Sequence, residues 1–154
     1  MRTYIGIDPG QNGGIAVWSD MHLQDVIKMP PTVRDIYDYL ASVRDRYDDI
    51  LVVIEDVGQG MPGQSSSATA KFARHIGNLE GILTSLRLRT EYVKPQKWQR
   101  EYSNTIGTSK TCASKVEWKN RLKAEAQRLF PEAKITLWNA DALLITLYGQ
   151  RKQL

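Results

Sequence analysis

One cysteine, Cys112, and two histidines, His22 and His75, are all the thiol and imidazole that this 154-residue chain can offer a metal. A lone thiol excludes an internal disulfide framework and a cysteine-based zinc site. The two imidazoles lie far apart in sequence, so any bound metal must be held mainly by oxygen. No apolar run approaches the roughly 20 residues that a bilayer-spanning helix needs. The first apolar stretch, Tyr4-Ile5-Gly6-Ile7, reads as a strand and not as a leader. These absences predict a cytoplasmic protein with no membrane partner. Repeats, low-complexity tracts and linkers are missing too, and the length predicts a single domain over residues 1–154.

Charge is present in both signs but unevenly placed. From Asp20 to Asp56 there are nine acids and four bases, a net of −5, whereas from Arg87 to Lys134 there are twelve bases and five acids, a net of +7. A basic segment of this size suits a phosphate-backbone partner, although a solvated helix face would carry the same charges.

The pattern of apolar residues orders the elements. Residues 3–8 form a strand, Gln11-Asn12-Gly13-Gly14 a tight turn, Ile15-Ala16-Val17-Trp18 a second strand, and Leu23 to Met29 a third. Pro30-Pro31 breaks the meander, and Thr32 caps a helix carrying Ile36, Leu40 and Val43. Ile50 to Ile54 is an unbroken aliphatic run, as in a central strand covered on both faces. Gly58 to Ser67 predicts a loop, and Phe72, Ile76, Leu79, Leu83 and Leu86 repeat at helical spacing. Glu91-Tyr92-Val93 is a fifth strand closed by Pro95. Ser103 to Thr111 reads as a mobile polar stretch, Ser114 to Phe130 as a basic helix, and Ala140 to Tyr148 as an apolar one. The order βββαβαβαα predicts an α/β fold: a mixed five-stranded sheet, three strands antiparallel and the rest added by βα units, with helices on both faces.

Three carboxylates stand at the ends of core elements. Asp8 closes the first strand, Glu55 the fourth, and Asp141 opens the last helix. Each has an ordinary reading by itself: an Asx turn before Pro9-Gly10, a solvated strand end, and a partner for the helix dipole with Asn139 as N-cap. If the first and fourth strands are parallel neighbours, however, Asp8 and Glu55 emerge side by side at the carboxyl end of the sheet, where α/β proteins bind ligands. Crowded carboxylates repel unless a cation lies between them, and hard Mg²⁺ suits an all-oxygen set. Two such ions could activate a water at a phosphodiester.

The motifs Ile5-Gly6-Ile7-Asp8-Pro9-Gly10, Val52-Val53-Ile54-Glu55 and Ala140-Asp141-Ala142-Leu143-Leu144-Ile145 resemble those of the RuvC family of Holliday-junction resolvases. The likeness is to its bacteriophage-type members. It extends through Met61-Pro62-Gly63-Gln64, Gly77-Asn78-Leu79-Glu80-Gly81-Ile82-Leu83, Val93-Lys94-Pro95-Gln96-Lys97-Trp98 and Leu129-Phe130-Pro131, covering nearly the whole chain. The resemblance implies an RNase H-like fold and catalytic, metal-binding roles for Asp8, Glu55 and Asp141. It further implies two Mg²⁺ or Mn²⁺ ions per site, a homodimer, and paired symmetric nicks in a four-way DNA junction that leave 5′-phosphate and 3′-hydroxyl ends. It places the protein in a bacterial or phage-infected cytosol. An Asp-x-Gly after a first strand also occurs in two-domain actin-like ATPases, but 154 residues do not supply two such domains, so no nucleotide cofactor is expected.

One departure stands out. Members of the family usually carry a fourth acid or a histidine just before the last aspartate, where this chain reads Thr136-Leu137-Trp138-Asn139. Asn139 could ligate weakly through its carbonyl oxygen or cap the helix; Asp56 should point away from Glu55. The missing acid keeps open a catalytically weak junction-binding protein, or a nuclease for other branched DNA or for hybrids. For DNA contacts the candidates are Gln64, Ser65 and Ser66 in the loop from Gly60 to Ser67, with Lys94, Lys97, Arg100, Lys110, Lys115 and Lys119 on phosphates. Trp98 and Trp118 could stack on bases or belong to the core. The helix from Phe72 to Leu86 could form a dimer contact or simply cover the sheet.

Overall fold

The computed structural model describes residues 1–58 and 63–154. Gly60, Met61 and Pro62 of the expected substrate loop lie outside the described residues. Strands β1 (Thr3–Asp8), β2 (Gly14–Ser19) and β3 (His22–Lys28) form the antiparallel meander; β4 (Ile50–Glu55) and β5 (Arg89–Val93) add in parallel, giving the order β3-β2-β1-β4-β5. Six α-helices are assigned among the described residues: α1 (Val33–Arg46), α2 (Ser66–Ser85), α3 (Pro95–Arg100), α4 (Ser103–Ile106), α5 (Lys115–Leu129) and α6 (Ala140–Lys152). None is long and apolar enough to cross a membrane.

Period-two alternation sorts the central strands between two cores. Ile5, Ile7, Ile50, Val52 and Ile54 face α1 and α2, meeting Ile36, Leu40, Val43, Leu79 and Leu83. Tyr4, Leu51 and Val53 face the other way, onto Trp98, Tyr102, Leu143, Leu144 and Leu147. Helix α2 thus covers the sheet through Leu79, Ile82 and Leu83.

On the second face α6 runs unusually close to β1. A Cβ added at Gly6 would lie 1.9 Å from Thr146 Oγ1 and 2.6 Å from the Ala142 carbonyl oxygen. One at Gly149 would lie 2.7 Å from Val53 Cγ2. These two glycines let α6 settle directly on the central strands. Thr146 Oγ1 completes the seam, donating to the Ala142 carbonyl at 2.7 Å.

Two local expectations are corrected, and one stretch without an expectation proves helical. Helix α2 begins at Ser66, inside the stretch that reads as loop, because the Ser65 hydroxyl accepts the Ala68 N–H at 3.1 Å and nucleates the first turn. Residues 95–100 form a short helix that Pro95 starts at its first position. The polar stretch 103–111, expected to be mobile, folds into α4 and a 3₁₀ turn at Ser109–Thr111. Arg121 holds it, donating to the Ile106 carbonyl at 3.1 Å and to Thr111 Oγ1 at 3.3 Å.

Candidate active site

Strand register brings the first two acids together. Ile7 pairs with Ile54, and one residue beyond that pair β1 ends in Asp8 and β4 in Glu55. Alternation turns both away from the isoleucine face, toward α6, whose first turn carries Asp141. All three line one cavity of about 380 Å³, with Pro9, Gln11, Gln64, Phe72 and Lys119 among its other walls. Among the described residues no three Asp, Glu, His or Cys side chains stand as a ready-made cation site. The three acids reach the one cavity from three different elements, β1, β4 and α6.

The acids of the cavity are raised first by burial and, for Asp8 and Glu55, also by the charge of neighbouring carboxylates. Burial pushes the Asp8 carboxyl well above its ordinary range, the charges of Asp141 and Glu55 raise it further, and Lys119 pulls it back. Burial also lifts Glu55 from its ordinary 4.5 to about 7, opposed by a Trp98 hydrogen bond and helped by Asp141. Asp141 is raised by burial and lowered by Lys119. Desolvated, mutually repelling carboxylates bind protons or cations readily, and all three donors are hard oxygens. By donor type the set fits a divalent metal.

Glu55 is held by a partner outside the cavity. The Trp98 indole N–H donates to Glu55 Oε2 at 2.6 Å, and Trp98 is fully buried. Trp98 therefore belongs to the core and is not available to stack on a base. Trp118 is also largely buried.

Asn139 takes neither role expected of it. Its side-chain oxygen accepts the Thr136 N–H at 2.8 Å, and its amide nitrogen donates to the Lys134 carbonyl at 3.0 Å. Both ends of the carboxamide are used to close the turn before α6, so it makes no side-chain cap bond and does not line the acidic cavity. Asp56 is diverted as well, pairing with Lys94 Nζ at 2.9 Å.

The candidate DNA contacts divide by environment. Lys119 lines the acidic cavity itself. Arg100 and Lys110 line a separate cleft of about 260 Å³ with Gln96, Gln99, Thr108 and Trp118. Lys94 is engaged by Asp56, while Lys97 and Lys115 are exposed. Gln64 lines the acidic cavity, Ser65 caps α2, and Ser66 is that helix's first residue. Sequence reasoning missed two things: that Lys119 differs from the other lysines, and that Trp98 binds Glu55. Lys119 carried no local signal beyond its charge. Trp98 offered one, since a buried indole N–H needs an acceptor.

No protein-family model matches the sequence, and no curated protein matches it. Solved structures do. The Thermus thermophilus RuvC structure aligns with a TM-score of 0.60 at 17% identity, covering 98% of this chain and 96% of that one. T. thermophilus RuvC in complex with Holliday junction substrate gives 0.62 at 18% identity, covering 99% and 96%. The Fowlpox virus resolvase, in complex with substrate Holliday junction DNA, gives 0.53 at 13% identity, covering 98% and 99%. The alignments span nearly the whole of each chain, and the mixed five-stranded sheet with helices packed around it has the RuvC-like form of the RNase H fold.

Proposed function

We propose that this protein is a divalent-metal-dependent DNA endonuclease that resolves four-way junctions, its whole length forming one nuclease domain. The observation that carries the reading is the cavity at the carboxyl ends of β1 and β4, where Asp8, Glu55, Asp141 and Lys119 meet. The solved structures of similar fold support the choice of substrate, since two of them contain Holliday junction DNA.

Asp8, Glu55 and Asp141 would hold Mg²⁺ or Mn²⁺, two ions by family resemblance, whose chemistry there is to acidify a water and stabilise the leaving oxygen of a phosphodiester. Lys119 tempers the repulsion among the acids and offers a positive charge to the phosphate in the same cavity. Arg100, Lys110, Lys97 and Lys115 supply further contacts to the backbone, with Gln64 nearer the scissile bond. Hydrolysis by this route leaves 5′-phosphate and 3′-hydroxyl ends. A homodimer presents two such cavities to the near two-fold junction, so the nicks fall symmetrically.

A second reading is a junction-binding protein with weak or no turnover. It is favoured by Asn139, whose oxygen is committed to Thr136 where a fourth acidic or histidine ligand would help hold the second ion. A nicking assay on four-way, three-way, flap and linear DNA, with Mg²⁺ and with Mn²⁺, separates the two. The endonuclease reading expects metal-dependent cleavage of the four-way junction, abolished in Asp8→Asn with binding retained. Junction shifts without cleavage in either metal would select the binding protein. Cleavage untouched by Asp8→Asn would remove the cavity from the mechanism.

A further inference from the structure

Trp98 stands one residue shell behind the acidic cavity and its indole can only donate. Its single N–H goes to Glu55 Oε2 at 2.6 Å, a buried contact between residues 43 apart in sequence. A hydrogen bond to a carboxylate in such surroundings is short and strong. Oε2 is the only Glu55 carboxylate oxygen with a side-chain or backbone donor among the described residues.

The corner that carries Trp98 is tied to β4 at two further points. Glu55 pairs in register with Val93, and the Asp56 N–H donates to the Val93 carbonyl at 2.9 Å. Lys94 Nζ then meets Asp56 Oδ2 at 2.9 Å. Pro95 begins α3 immediately afterwards, so the short helix leaves β5 at a set angle and Trp98 lands beneath Glu55. The ring is wedged edge-on against Tyr102, with centroids 6.5 Å apart, and Tyr102 in turn donates its hydroxyl to the Leu144 carbonyl of α6. The indole thus connects the strand bearing Glu55 to the helix bearing Asp141.

We propose that Trp98 is a positioning residue: by engaging Oε2 it fixes the rotamer of Glu55 and leaves Oε1 as the one oxygen offered to a cation in the cavity. The proposal rests on the metal-dependent reading above. Groups that orient a metal-binding carboxylate typically govern metal affinity by about tenfold or more. A carboxylate freed from Trp98 would sample several rotamers and could turn both oxygens toward one cation, changing the geometry of the site.

Mn²⁺ binding to the full-length protein, followed by electron paramagnetic resonance of free Mn²⁺ or by calorimetry, reads this without any turnover. Trp98→Phe removes the N–H and should weaken Mn²⁺ affinity about tenfold, with junction affinity in the absence of metal unchanged. In a Glu55→Gln background the same substitution should have no further effect on Mn²⁺ affinity, since it acts through the missing carboxylate. Replacing Trp98 by benzothienylalanine, in which sulfur stands for N–H in a ring of the same shape, serves if the phenylalanine variant does not fold.

Unchanged Mn²⁺ affinity in a folded variant lacking the N–H would overturn the proposal while leaving the nuclease reading intact. So would an equal loss in the Glu55→Gln background, which would mean a general packing effect. If the unaltered protein binds no Mn²⁺, the metal-dependent reading fails and takes the proposal with it.

Discussion

Neutralising Glu55 should make the metal-free protein more stable at neutral pH and should do nothing for it in acid. Burial lifts this carboxyl from 4.5 to about 7, so the folded chain holds the proton more tightly than the unfolded chain does. Its contribution to stability is therefore complete below about pH 4.5 and is lost as pH rises through 7. At about 1.4 kcal/mol for each pH unit, the gap between 4.5 and about 7 sets a ceiling of about 3.5 kcal/mol on the cost of ionising Glu55 in the fold. Glu55→Gln removes that cost and can still accept the Trp98 N–H. Burying the amide offsets part of the gain, leaving about 1–3 kcal/mol, or roughly 3–10 °C in Tm for a chain of this size. The assay is thermal unfolding in chelator at pH 5 and pH 8, for the unaltered protein and for Glu55→Gln. The variant should melt no higher than the unaltered protein at pH 5 and higher than it at pH 8. Millimolar Mn²⁺ should raise the unaltered protein more than the variant, because a ligand stabilises the state that binds it more tightly. Equal melting at both pH values, or a variant lower at pH 8, would refute the claim that holding Glu55 buried as an anion costs the fold stability.

Three further outcomes follow from particular contacts. Gly6→Ala places a methyl group 1.9 Å from Thr146 Oγ1 and 2.6 Å from a backbone oxygen of α6; it should cost about 1–3 kcal/mol in denaturant melts and reduce cleavage, as the helix bearing Asp141 shifts off the sheet. Asn139→Asp, which adds an acid where the family has one, should lower stability by about 1–3 kcal/mol and leave Mn²⁺ affinity no tighter, because the position serves the Thr136 N–H and the Lys134 carbonyl. Lys119→Ala should slow junction cleavage far more than it weakens binding, whereas Arg100→Ala and Lys110→Ala should weaken binding and each reduce the salt dependence by about one counterion. Cleavage rates at saturating DNA, set beside binding titrations over a range of salt, separate these classes.

The antiparallel meander and the alternation that aims the two strand acids were legible from residue types alone, whereas the parallel pairing of β1 with β4 entered only as a condition that the structure meets. A turn rich in Asn and Gly between two short apolar runs makes a hairpin, and Pro30-Pro31 ends it. Alternation along Tyr4-Ile5-Gly6-Ile7-Asp8 and Leu51-Val52-Val53-Ile54-Glu55 sends Asp8 and Glu55 to one face once the strands are parallel neighbours. Thr32 caps α1 as read, its hydroxyl accepting the Asp35 N–H. These are short-range constraints, set by backbone sterics and by the period of the element.

Other features depended on residues that meet only after the chain has folded. Nothing local says that Trp98 will reach Glu55 across 43 residues, that Asp56 will occupy Lys94, or that Lys119 will lie among the acids while Lys115, one helical turn earlier, stays outside. Asn139 looked like a cap or a ligand because both roles share its chemistry; the unsatisfied backbone of residues 134–136 claimed it instead. The sequence by itself determined which residues line each strand and which face they take, because φ, ψ and periodicity are properties of neighbours in the chain. Which carboxylate is held, which cation is spent and which stays available were decided by the approach of α6 to β1 at Gly6 and by the β5–α3 corner, where polar groups buried together must find partners in one another.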